Sequence, residues 1–199
     1  MLMNITRQGI DKPPNILYLR GMNPDNRFPP ASITLIVGQR AFTRQRMHAL
    51  IVALALENPV RLLIGGNRYD HYGINYAIAA VTPHYEHILD EHIYLSRAET
   101  CYQMVELLIQ TPDAPTPTLV LDLLTTFYDE SAPDREVNQL LFESILNLRR
   151  LSQQAPVLVS ARSGQTRPHL LKALLNAADQ VEYPALTPPE PRRQYSFIE

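Results

Sequence analysis

The sequence predicts an α/β fold with a mostly parallel central sheet and helices on both faces. Short apolar runs rich in β-branched residues recur along the chain, and amphipathic stretches with helical spacing separate most of them. This alternation favours parallel strands, because each helix returns the chain to the edge of the sheet where the next strand starts. The 199 residues, 45% of them hydrophobic, are enough for one sizeable core.

An extended arm is predicted to precede this core. Residues 1–31 are rich in Pro, Asn and Arg, whereas residues 32–199 carry the strand and helix patterns of a single domain. Within the arm, the apolar residues 16–19 form either an anchor laid on a neighbouring surface or part of a free linker.

The core elements follow in order. Predicted strands cover residues 33–38, 60–64, 91–95, 118–122 and 156–160, and predicted helices cover residues 43–57, 72–81, 97–110, 136–153 and 167–177. The first helix has apolar residues at helical spacing (Met47, Leu50, Ile51) and ends at Asn58-Pro59. Two closing strands, residues 179–183 and 194–198, have only a Pro-rich turn between them, which predicts an antiparallel C-terminal hairpin.

Composition limits the function classes. The net charge of −2 argues against a broad nucleic-acid patch, although a local one stays open. Charged residues make up only 19% of the chain, which suggests a surface that partners cover. The single cysteine, Cys101, excludes an intramolecular disulfide and favours a reducing compartment. We find neither a signal-peptide pattern nor an apolar run long enough for a membrane, so the expected location is cytoplasmic.

The stretch from residue 33 to residue 45 places a strand, a short loop and a helix in the order of a P-loop. That motif, G-x-x-x-x-G-K-[ST], cradles phosphates with backbone N–H groups and a lysine. Here Gly38 keeps the first glycine, whereas Thr43, Arg44 and Gln45 replace the second glycine, the lysine and the hydroxyl residue. The loop therefore has the position of a P-loop without its chemistry.

Several motifs in one order resemble the RecA-like recombinase family, especially its archaeal and eukaryotic branch and their non-catalytic paralogues. They are the degenerate P-loop, residues 64–70 after the second strand, residues 96–103 after the third, the strand ending in Asp122, and the long helix and strand that follow. The resemblance covers residues 31–199. It implies a RecA-like P-loop NTPase fold in which Asp122 ends the Walker B strand.

This resemblance also implies that catalysis has been lost. A working ATPase of this class needs a lysine, a magnesium-binding hydroxyl, an aspartate and a carboxylate that orients water. Only Asp122 matches, since Gly65 and Gly66 stand where the family has the water-orienting carboxylate. We predict no catalytic residue, no metal site and no cofactor. Weak binding of ATP and Mg²⁺ by Gly38, Thr43, Arg44, Gln45 and Asp122 stays an alternative to an empty loop, and Asp122 alternatively pairs locally at a turn.

A second candidate site follows the second strand at the edge where open α/β sheets place ligands. It comprises Gly65, Gly66, Asn67, Arg68, Tyr69 and Asp70. One interpretation is a ligand or docking loop, and the other is a strand-to-helix turn with Asp70 as the N-cap. Both interpretations are compatible with each other.

In the recombinase family the loops after the fourth and fifth strands face DNA. The first such loop here, residues 128–134, is acidic, whereas the second carries Arg162 and Arg167, which suit either phosphate contacts or a solvated loop. The resemblance thus implies a non-catalytic subunit or accessory factor in DNA recombination or repair, with RecA-like subunits or further copies of itself as partners and DNA as an additional candidate. The alternatives are a nucleotide-dependent switch using Arg44 and Asp122, and a ligand-binding domain built on residues 65–70.

Overall fold

The computed structural model describes residues 31–66, 69–128, 132–162 and 166–184. Almost all of the predicted arm lies outside these ranges. So do Asn67 and Arg68 of the second candidate site and residues 194–198 of the predicted hairpin.

The centre of the described chain is a six-stranded sheet in which every pairing is parallel. Its strands are β1 (Ile33–Val37), β2 (Val60–Gly65), β3 (Ile93–Ala98), β4 (Thr118–Leu121), β5 (Val157–Ala161) and β6 (Gln180–Glu182). They lie in the order β3-β2-β4-β5-β1-β6. The predicted parallel sheet is therefore confirmed.

Helices connect these strands. They are α1 (Arg40–Glu57), α2 (His71–Ala79), α3 (Tyr85–Glu91), α4 (Cys101–Gln110), α5 (Asp134–Ser152) and α6 (Pro168–Ala177), with a 3-10 helix at Leu123–Tyr128. The sequence did not predict α3 or the 3-10 helix, because seven and six residues are too few to display a clear helical period.

The helices cover both faces of the sheet, as the alternation predicted. One face packs under α1, α2 and α3 and contains Ile36 and Leu158, and the other packs under α4, α5 and α6 and contains Leu35 and Val159. Successive side chains of a strand point to opposite faces, so a strand covered on both faces needs apolar residues at every position. This explains why all five residues of β1 are buried.

The C-terminal end of the described chain differs from the prediction. The first closing strand is β6, and it pairs in parallel with β1, with Thr34 opposite Gln180. It joins the sheet in this direction because α6 carries the chain from the end of β5 back to the starting edge of β1. β6 thus continues the parallel sheet, and the second strand of the expected hairpin lies outside the described residues.

Two predicted boundaries were wrong in ways that affect the site. α1 begins at Arg40 rather than Thr43, and its N-cap, Gln39, makes no side-chain capping bond that the sequence could have announced. β3 ends at Ala98 rather than residue 95, and α4 begins only at Cys101, after a capping box between Thr100 and Gln103.

Candidate functional site at the carboxyl edge of the sheet

The chain leaves two neighbouring strands in opposite directions at the carboxyl edge of the sheet. From β2 it passes through α2 on one face toward β3, and from β4 it passes through the 3-10 helix and α5 on the other face toward β5. Such a switch point is where open α/β sheets generally bind ligands. Gly65 is the last residue of β2 and Gly66 follows it, and Asp122 follows β4.

The backbones of these two segments approach each other closely where the strands end. A Cβ atom on Gly65 would lie 2.6 Å from the carbonyl oxygen of Asp122, a distance that no other residue type can accept without a backbone shift. Gly66 has a φ of +84° and Asp122 a φ of 53°, in the left-handed region that favours glycine and tolerates aspartate. Both turns are therefore specified by local residue choice, and the two backbones approach each other closely at this point.

Asp122 is paired with groups from the neighbouring strand. Its backbone N–H donates to the Ser160 hydroxyl oxygen at 2.9 Å, and its carboxylate Oδ1 accepts from Arg162 Nε at 3.2 Å. Arg162 also donates to the Thr125 hydroxyl oxygen at 3.1 Å. The carboxylate that the resemblance assigns to magnesium is thus held by a guanidinium of the same chain, from a residue 40 positions further along.

The connection between β1 and α1 is shorter than the P-loop register requires. Only Gly38 and Gln39 separate the strand from the helix. The Thr43 N–H donates to the Gln39 carbonyl oxygen at 3.0 Å, so it is already part of the helical ladder. The Thr43 side chain is 2% exposed, and its hydroxyl donates to the Arg40 carbonyl oxygen at 3.3 Å. Residues 40–42, which the P-loop register places inside the loop, therefore already belong to the first turn of the helix.

A small cavity lies between α1, the ends of β2, β4 and β5, and the start of α2. It is lined by Arg40, Thr43, Arg44, Met47, His48, Ile64, Tyr69, Asp70, Leu121, Asp122 and Ser160. The structure thus brings Thr43, Arg44 and Asp122 to one place, whereas Gly38 and Gln45 are not in the lining. The cavity volume is about 30 Å³, which is room for one or two water molecules and far below the about 300–1,000 Å³ of small-molecule sites.

His48 is the residue of this cavity that sequence reasoning missed. It is 8% exposed, and burial lowers its pKa, an effect that nearby Asp70 opposes and nearby Arg44 reinforces. No hydrogen bond of its imidazole to another described residue is present. The available signal was its position next to Met47 on the buried side of α1, but that position alone does not distinguish a cavity histidine from a core histidine.

The segment after β2 forms the predicted strand-to-helix turn. Asp70 Oδ1 accepts from the Gly73 N–H at 2.9 Å, which confirms Asp70 as the N-cap of α2. Tyr69 lines the cavity, and burial, with a smaller contribution from Asp70, raises its pKa to about 12. The docking interpretation of this segment stays a prediction.

The two arginines predicted as DNA contacts are both used inside the protein. The Arg167 side chain is 9% exposed and donates to the carbonyl oxygens of Phe127 and Ala132 and to Asp134 Oδ1. Arg162 is paired with Asp122 as described above. Phosphate contact by either guanidinium would compete with these bonds.

Within the ranges that the structure describes, no group of three or more His, Cys, Asp or Glu side chains is arranged to hold a metal ion. No helix of the same ranges is both long and apolar enough to cross a membrane.

No protein-family model matches the chain, and no curated protein matches it significantly.

Proposed function

We propose that this chain is a non-catalytic RecA-like paralogue that serves as a subunit or accessory factor of a DNA recombination or repair assembly, acting through protein–protein contacts. The observation that carries the non-catalytic part is the two-residue connection between β1 and α1. The recombination and repair context rests on the ordered motifs from Gly38 to Asp122.

A phosphate cradle needs a loop whose backbone N–H groups converge on the ligand. Here the residues that would form its second half are helical, and the Thr43 N–H already has an acceptor. Arg44 projects from the first turns of α1, and its planar guanidinium does not replace a compact lysine ammonium inside a narrow loop. The local backbone thus supports a protein without nucleotide turnover.

The pairing of Asp122 supports the same proposal. For Asp122 to bind Mg²⁺, the carboxylate would have to exchange its partner Arg162 for the ion. The displaced Arg162 would then also lose its hydrogen bond to the Thr125 hydroxyl. A cation already fills the electrostatic role that a metal would take at this position.

Exposed apolar side chains support the role in protein contacts. Tyr72 and Tyr76 lie one turn apart on α2, and Phe142 and Leu146 lie one turn apart on α5, all at least half exposed. Aromatic residues of this kind are enriched at protein interfaces. DNA binding is at most a weak additional property under this proposal, because Arg162 and Arg167 are used internally.

The proposal is tested by thermal unfolding of the full chain with Mg-ATP, Mg-ADP or Mg²⁺ alone. A nucleotide that binds the folded state adds RT ln(1 + [L]/Kd), about 2.7 kcal/mol at a hundredfold excess over Kd. We expect no stabilisation at millimolar nucleotide. Stabilisation that disappears in Arg44→Ala but persists in the control Gln45→Ala would overturn the expectation of an empty site and favour the nucleotide-dependent switch, and a hydrolysis assay would then decide whether the chain is catalytic.

The second candidate is a nucleotide-dependent switch. It is favoured by the cavity that Thr43, Arg44 and Asp122 line together. Against it stands the volume of about 30 Å³, which would have to grow about tenfold to reach the size of ordinary ligand sites. The same titration separates the two functions, since only the switch predicts a stabilisation that depends on Arg44.

A further inference from the structure

β3 forms an unprotected edge of the sheet. Among the described residues it pairs with β2 alone. Tyr94 and Leu95 are 54% and 44% exposed, and the strand contains no proline or lysine of the kind that blocks edge pairing. Such an edge is a template for another strand.

The backbone groups that face outward can be assigned from the pairing with β2. The carbonyl oxygens of His92 and Ala98 accept from the N–H groups of Val60 and Gly66, each at 2.8 Å. In a regular strand the N–H and C=O of one residue face the same neighbour, and the direction alternates along the strand. The even-numbered residues therefore face β2, and Ile93, Leu95 and Arg97 direct their N–H and C=O groups outward.

We propose that β3 of a second copy of this chain pairs antiparallel with this edge, about a two-fold axis at Leu95. Leu95 then lies opposite Leu95 of the second copy, and Ile93 lies opposite Arg97. The outward-facing residues are symmetric about Leu95, so all three enter hydrogen-bonded pairs and six backbone bonds form. The edge is self-complementary in this register. This inference rests on the proposed function and deepens it by naming a partner, a second copy of the chain.

Side-chain charge is compatible with the same register. Arg97 is the charged residue of β3, and the register places it opposite Ile93 and not opposite Arg97 of the second copy. Like charges therefore do not face each other within the ladder.

A groove beside the edge provides the remaining contact area. It has a volume of about 640 Å³ and is lined by β3 and α4 residues that include Arg97, Tyr102, Glu106 and Leu107. The two-fold axis places α4 of the second copy across this groove. A strand of six residues alone falls short of the roughly 800 Å² per partner that stable interfaces bury, and the facing helices extend the buried surface.

Sedimentation velocity of the full chain over a hundredfold range of concentration tests the proposal. We expect a dimer whose dissociation constant rises at least about tenfold in Leu95→Pro, because proline removes an outward N–H from each copy without removing a bond to β2. The matched control Leu95→Thr keeps the N–H and should change the dissociation constant much less. If the proline variant fails to fold, Leu95→Lys replaces it in the test. This variant places two like charges at the axis and should weaken the dimer.

A wild-type chain that stays monomeric throughout, or a folded Leu95→Pro or Leu95→Lys variant that dimerises as tightly as the wild type, would overturn the proposal. A dimer that dissociates in Leu17→Asp or Leu19→Asp but not in the Leu95 variants would also overturn it and would identify the N-terminal arm as the occupant. Neither result bears on nucleotide binding, so failure of the dimer remains distinguishable from failure of the non-catalytic function.

Discussion

Arg162 donates to Asp122 at 3.2 Å across the ends of two adjacent strands, β5 and β4. Both side chains are about three-quarters buried, so the pair is shielded from solvent more than an ordinary surface ion pair. The same guanidinium reaches Thr125 in the 3-10 helix. The pair thus joins three segments at the edge where a ligand would otherwise enter.

We predict that Asp122 and Arg162 are energetically coupled. Arg162→Gln and Asp122→Asn should each lower the free energy of unfolding by about 1–2 kcal/mol, because each removes a hydrogen bond between charged groups. The double variant should cost less than the sum of the single variants by about 1 kcal/mol, since the second change removes a partner that is already lost. Urea unfolding of the four proteins measures this coupling, and strictly additive costs would contradict it.

Gly65 is predicted to tolerate alanine poorly. The added Cβ would meet the Asp122 carbonyl oxygen at 2.6 Å, and a backbone atom can yield only by moving the chain. We expect Gly65→Ala to cost about 2–3 kcal/mol of unfolding free energy. Gly38→Ala is the control, because its nearest atom belongs to the Phe42 ring, a side chain that can rotate away. Equal costs for the two variants would refute the proposed contact between the two segments.

Even the conservative change of Arg167 to lysine should destabilise the protein. Its guanidinium serves acceptors at Phe127, Ala132 and Asp134, and a lysine ammonium cannot reproduce that planar arrangement. Arg167→Lys should cost about 2 kcal/mol in chemical unfolding. The exposed Arg135 provides the control, since Arg135→Lys should leave stability nearly unchanged.

The DNA hypothesis for Arg167 predicts a different pattern, and a variant without the charge tests it, because lysine also binds phosphate. It requires that Arg167→Gln weaken the binding of labelled single-stranded DNA, measured by fluorescence anisotropy, without a large loss of stability. We expect the opposite result, a loss of stability in a protein that binds such DNA weakly at most. The two measurements together decide whether the arginine serves the fold or a ligand.

The buried strands of the sheet were predictable from sequence, whereas the extent of the edge strand β3 was not. β1 and β5 are apolar at nearly every position, and this is the pattern of strands buried on both faces. The extent of β3 was missed because residues 94–97 are exposed at the edge, so burial leaves no hydrophobic pattern there. The start of α1 was missed because aligning the chain to a P-loop motif placed Thr43 at the helix start, and Gln39 gave no capping signal to correct it.

The contacts of the site depend on tertiary structure. Arg162 and Asp122 are 40 residues apart, and Arg167 and Asp134 are 33 residues apart. Sequence could indicate that strand ends meet at one edge, because parallel strands share a direction. It could not indicate which arginine reaches which acceptor, since that depends on strand order and side-chain geometry.

His48 should make stability depend on pH in the mildly acidic range. Burial lowers its pKa below the ordinary value of 6.5, so the unfolded chain takes up a proton at this residue at a higher pH than the native protein does. The unfolded state therefore binds more protons between pH 6.5 and the native pKa, and the free energy of unfolding falls as the pH falls through that interval. Above about pH 6.5 both states are neutral at this residue and the effect is absent.

His48→Gln should remove this dependence. Urea unfolding from about pH 7.5 to about pH 5 should give a wild-type curve that declines relative to the variant, and a curve for the exposed control His169→Gln that keeps the wild-type decline. The lowered pKa of Asp179, whose main cause is its hydrogen bond with Arg149, does not interfere. Its contribution is lost only at more acidic pH, below the ordinary aspartate value of 3.8. Parallel curves of unfolding free energy against pH for the wild type and His48→Gln would contradict the prediction. They would show that the His48 imidazole has the same pKa in the folded and unfolded states, so that its burial in the cavity does not change its protonation.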